Sequence, residues 1–169
     1  NGPRFFKSAF GIDGLEFALL FAATGLGIVL GQIANNRLIA RLGVLTTTRI
    51  AAFVLLAVTT LVVVLSLTDA LPGVAFTGLM FMFNTSFLVV IANSASLVID
   101  PHREIAGFAS SAYGFFTQIT ASVAAILTVP LFAGALLPWS LTMLALTLSV
   151  FLLIMAYRPV PVLPSAPDR

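Results

Sequence analysis

Apolar residues run along this chain in long unbroken blocks, and the charged residues fall between the blocks. Phe17 to Asn36, Ile50 to Thr68, Ala70 to Ile99 and Ile105 to Tyr157 carry no charge at all. A helix needs about 18 to 20 mostly apolar residues to cross hydrocarbon, so each interval holds at least one span. The last is too long for one, and Pro130, Gly134 and Pro138 divide it, since proline ends or kinks a helix and glycine tolerates the turn between two. The pattern predicts an all-α membrane protein with five transmembrane helices, near 14–42, 47–68, 72–99, 101–130 and 138–157. Residues 1–13 read as a periplasmic lead-in from a missing span, and the proline-rich 158–169 as a cytoplasmic tail.

Local signals mark where the helices begin and end. Asp13 as N-cap, Glu16 three residues on, and Ile12 with Phe17 as a staple open the first helix, a purely structural use of both acids. Ala23, Gly27, Gly31 and Asn35 recur every four residues along it, a narrow stripe that suits close approach of another helix. Gln32 and Asn35 are expected near one membrane face, within reach of headgroup water. Arg37 and Arg41 end the helix, and Gly43 supplies the stop. The second span is Val, Leu and Ala with few polar interruptions and reads as a lipid-facing support.

Uncharged polar residues inside the later spans are the candidates for chemistry. Ser86, Asn93 and Asp100 share a face of the third span, with Asn84 nearly opposite Asn93. An amide in hydrocarbon must find a partner, so Asn93 reads either as pathway lining or as glue between helices, and Asn84 as glue. Asp100-Pro101 is expected to cap the third span and open the fourth directly. His102 reads as a solvated loop residue. The fourth span carries Gly107, Ser111, Gly114, Gln118, Ala121 and Ala125 on one small or polar face, flanked by Tyr113 and Thr117. Gln118 has no use against lipid and fits a water-accessible cavity. Asn93, Gln118, Tyr113, Thr117 and Asn84 therefore form the candidate pathway set, while Gly27, Gly31, Gly107 and Gly114 form the packing set. The fifth span, with Trp139 and Tyr157 near its ends as interfacial aromatics, reads as peripheral.

Composition narrows the function classes. The chain of 169 residues is 60% hydrophobic and only 8% charged, against about 25% charged in soluble domains, so the lipid bilayer is its expected solvent. A net charge of +2 with scattered basic residues gives no nucleic-acid surface. No cysteine and one histidine leave no thiolate chemistry and almost no basis for a metal site, and no cofactor is expected. Arg37, Arg41, Arg49, Arg103, Arg158 and Arg169 fall on one side of the predicted membrane and Arg4 and Lys7 on the other, which marks the first side, with the C-terminus, as cytoplasmic. An odd number of spans and an opening Asn1 suggest that the natural protein is longer at its N-terminus.

Asn93-Ser94-Ala95, Pro101, Ala106-Gly107-Phe108-Ala109-Ser110-Ser111, Gly114 and Gln118 resemble the C-terminal half of the bicyclomycin-resistance-type drug:proton antiporters of the major facilitator superfamily. Phe10-Gly11-Ile12, Phe17 to Ala22 and the cytoplasmic loop with Arg37, Arg41 and Gly43 resemble the same family's eighth helix and following loop. The resemblance implies helices eight to twelve of a twelve-helix transporter in a bacterial inner membrane, working by alternating access against an N-terminal half. Ala40 stands where the superfamily's loop usually carries an acid. The carboxylates all lie at span ends or in loops, so the proton-coupling acid would belong to that other half. The implied function is proton-driven export of drugs or similar amphipathic solutes, with the bilayer, protons, a small-molecule substrate and the missing half as partners. Transport of one metabolite, or a non-catalytic membrane subunit, are the alternatives. An enzyme is not expected, because no paired acids or Ser/His arrangement converge within the spans.

Overall fold

The structure, a computed structural model, describes residues 14–68, 72–128 and 136–158. It is all-helical: α1 (Gly14–Leu42), α2 (Val44–Leu67), α3 (Gly73–Ile99), a 3-10 helix (Asp100–Ile105), α4 (Ala106–Thr128) and α5 (Leu136–Ala156). Among the described residues, three of the five α-helices, α2, α3 and α5, are long and apolar enough to cross a membrane. Asp13, Pro130, Gly134 and the tail 159–169, all used above to place boundaries, lie outside the described residues.

A single residue separates α1 from α2. Gly43 has φ of +79°, a left-handed backbone that glycine adopts without a Cβ penalty. Its N–H donates to the Ile39 carbonyl at 2.9 Å and closes α1; its carbonyl accepts from the Thr47 N–H at 3.1 Å and begins α2.

The packing fixes how the helices run. Ala51 and Ala52 of α2 meet Val89 and Val90 of α3, and Val62 meets Phe76, so these two helices are antiparallel. Thr59 lies beside Thr147, and Arg49 beside Tyr157, so α5 is antiparallel to α2 as well. Gly31 touches Thr85 while Asn35 touches Asn93, so α1 and α3 run in the same sense. One end of the bundle thus collects the end of α1, the start of α2 and the ends of α3 and α5. Arg37, Arg41, Arg49, Asp100 and Arg158 are all there.

Among the described helices α2 is the most buried, which corrects its reading as a lipid-facing support. It packs against both α3 and α5, and Ala52, Leu55, Val58, Thr59, Val62, Val63 and Ser66 are buried along it. Nearly uniform Val, Leu and Ala leave no polar face to betray which side is covered, so the sequence had no contrast to read. Between apolar helices in lipid the drive is close packing rather than the hydrophobic effect, and Ala51 and Ala52 allow that approach.

A second correction concerns Asp100-Pro101. Asp100 does cap α3, with helical angles (φ −58°, ψ −38°) and its N–H donating to the Ser96 carbonyl, but the fourth helix does not open directly after it. Proline disfavours such a predecessor without forbidding it. The chain then tightens into the 3-10 helix, and α4 starts only at Ala106.

A Cβ added at Gly31 would sit 2.6 Å from Thr85 Cγ2, whereas at Gly107 and Gly114 it would meet nothing within 4 Å. These last two, read from sequence as packing positions, have open space beside them. Gly31→Val should therefore lower stability by about 1–3 kcal/mol through overpacking, and Gly114→Ala should change it by no more than about 1 kcal/mol, in the stabilising direction. Thermal unfolding of the two variants in detergent micelles checks both.

Candidate functional site

Asn35 and Asn93 face each other across the α1–α3 contact. Asn35 Nδ2 donates to Asn93 Oδ1 at 3.1 Å, and Asn93 Nδ2 donates back to Asn35 Oδ1 at 3.0 Å. The two residues are 3% and 2% exposed. A carboxamide holds a donor and an acceptor on one edge, so two of them close a ring of two hydrogen bonds. Asn35, expected near headgroup water, is instead the partner Asn93 needed. The stripe that gave Gly31 its close approach also brought Asn35, one turn on, to the same neighbour.

The remaining candidate pathway residues do not converge on this pair. Asn84 is half-buried and its Nδ2 donates to the Met80 carbonyl one turn back at 2.9 Å. Tyr113, half-buried, points its hydroxyl at the Ile91 carbonyl of α3 from 3.5 Å, the outer limit of a hydrogen bond. Thr117 donates to the Tyr113 carbonyl at 2.7 Å. Thr117 and Gln118 are both exposed on α4, and no residue of that helix whose burial is described is buried. Phe108, Phe115, Phe116 and Ile126 are exposed there too. Gly27 lies within α1, in a stretch whose surroundings are not described, and Arg37, Arg41 and Gly43 are exposed at the junction with α2.

Polar contacts between other helices also escaped the sequence reading. The hydroxyls of Thr59 and Thr147 lie 2.9 Å apart between α2 and α5, both buried. Arg49 Nη2 donates to the Tyr157 carbonyl at 3.1 Å. Trp139, expected at an interface, packs edge-on against Phe76 with ring centres 5.7 Å apart. The crevice among Thr59, Met80, Phe83, Trp139 and Met143 has no room for a water molecule. Among the described residues no three His, Asp or Glu side chains lie together as metal ligands would.

Comparison with known protein families, with curated proteins and with solved structures finds no match to this chain.

The reciprocal pair makes a signed prediction. Asn93→Leu leaves the Asn35 amide buried without a partner and should cost about 1–3 kcal/mol; Asn35→Leu together with Asn93→Leu should recover most of that loss, because no orphaned amide remains. Equilibrium unfolding of both single variants and the double variant measures the coupling, and additive losses would mean the two amides do not meet.

Proposed function

We propose that this chain is part of a secondary active transporter that exports drugs or other small amphipathic solutes in exchange for protons. The observation that carries the reading is α4. It has no charged residue over 23 positions, yet it displays Ser110, Ser111, Thr117, Gln118, Thr120 and Ser122 on surface that the described helices leave uncovered. Lipid cannot hydrogen-bond Gln118, whereas a wet cleft or a polar facing helix can. Phe115 and Phe116, also exposed, pack edge-to-face with ring centres 5.6 Å apart. They offer the kind of aromatic surface that accepts ligands of varied shape.

On this reading all five α-helices span the membrane as helices eight to twelve of a major facilitator fold. The protein resides in a bacterial inner membrane with the arginine-bearing end cytoplasmic. The N-terminal half supplies the opposite wall of the cleft and the carboxylate that takes up the proton. The likeness of 93–95, Pro101, 106–111, Gly114 and Gln118 to the bicyclomycin-resistance-type antiporters supports the choice of substrate class by family analogy.

A non-catalytic membrane subunit is the second reading. It is favoured by the Asn35–Asn93 pair, whose amides bind each other, and by the lack of a water-sized opening in the α2–α3–α5 crevice.

Proton-driven uptake of a fluorescent amphipathic cation into inverted vesicles carrying the intact protein distinguishes the two. Transport is expected, and Gln118→Ala should slow it about fivefold, the worth of one hydrogen bond of about 1 kcal/mol, with normal membrane insertion. No transport by the intact protein, or an unaltered rate in the variant, would contradict the assignment.

A further inference from the structure

The end of the bundle that gathers the arginines contains a cation that no described carboxylate neutralises. Arg49 sits in the second turn of α2 and is half-buried. Its Nη2 is committed to the Tyr157 carbonyl at the C-terminal end of α5, a favourable place for a positive charge because the helix dipole is negative there. Its Nε is buried and has no hydrogen-bond partner. No described carboxylate pairs with it: Asp100 and Glu104, the acids at this end, are exposed and form no ion pair with Arg49. Partly buried guanidinium groups in proteins are paired as a rule, since an uncompensated charge away from water is costly.

The surroundings say what class of anion fits. Arg158, directly after the carbonyl that Arg49 holds, is exposed. Arg37 and Arg41 stand at the same end. The α2 N-terminus beside them has no side-chain cap. A half-buried planar guanidinium that no described carboxylate neutralises, held at the carbonyl that directly precedes a second arginine, matches the oxygens of a phosphate. At the end of apolar helices the nearest phosphates belong to lipid headgroups, and the cytoplasmic leaflet supplies anionic ones.

We propose that Arg49, with Arg158, binds the phosphate of one anionic phospholipid, which ties the ends of α2 and α5 together at the membrane face. The proposal stands whether or not the chain transports anything.

Native mass spectrometry of the full chain released from micelles tests it, with palmitoyl-oleoyl phosphatidylglycerol and phosphatidylcholine as probes. One phosphatidylglycerol should be retained in preference to phosphatidylcholine, by about tenfold in affinity, the order expected for one charge-assisted contact. Arg49→Gln should remove the preference. Arg158→Gln, at an exposed position that does not endanger folding, should reduce it about threefold, roughly the worth of a surface charge pair. Arg37→Gln should leave it intact. Equal retention of the two lipids, or an unchanged preference in both the Arg49 and Arg158 variants, would overturn the proposal. Displacement of the lipid by 10-fold excess inorganic phosphate would also overturn it, by showing a general anion site. Equal binding by a chain ending at residue 159 is expected; loss of the preference in that shortened chain would assign the anion site to the tail instead.

Discussion

Two carboxamides that satisfy each other decide where α1 sits. In hydrocarbon an amide has no water to turn to, and the reciprocal bonds between Asn35 and Asn93 give each a donor and an acceptor from the other. The close meeting of Gly31 with Thr85 brings the backbones near enough for that exchange. Close packing supplies attraction without direction, while the amide pair fixes rotation and register. Interhelical bonds of this sort contribute about 0.6–2 kcal/mol each, small in absolute terms but selective among otherwise similar apolar faces.

Hydroxyl residues solve the same problem in a different way. Thr47, Thr48, Thr60, Ser66, Thr77, Thr142 and Ser149 each donate to the carbonyl four residues earlier in the chain. They cost the helix little and say nothing about its neighbours. Thr59 and Thr147 add a contact between helices to this local bond, and so join α2 to α5. Among the polar groups inside these helices, then, the short hydroxyls are mostly self-sufficient, and the asparagine pair carries information about tertiary structure. Asn84 lies between the two cases, an amide long enough to reach back to Met80.

That division explains what could be read from the sequence. The helices themselves were legible because charge-free length is a strong constraint, and α1 falls on the expected 14–42. The reversal at Gly43 was legible because few residues other than glycine accept its backbone angles. The burial of α2 was not, since Ala51, Leu55 and Val62 look the same to a lipid tail and to a helix. Nor was the 3-10 stretch that begins at Asp100, where the local preference before proline did not keep that residue out of helical angles. For Asn93 the sequence left lining and glue open, and the answer needed a position 58 residues away. Arg49 counted only toward orientation until the end of α5 was seen beside it.

The proposed function rests on a contrast between two amides. Asn93 has its partner inside the bundle, while Gln118 makes no hydrogen bond among the described residues and stands on a helix with open surface. This chain contains no cysteine, and in a cysteine-free version of the intact protein a single introduced thiol reports on its own position. Labelling with a membrane-impermeant maleimide in the intact protein, at Asn93→Cys and at Gln118→Cys in turn, reads the contrast directly. Rapid modification at 118 with protection at 93 is the predicted result. Protection at 118, or free modification at 93, would contradict it.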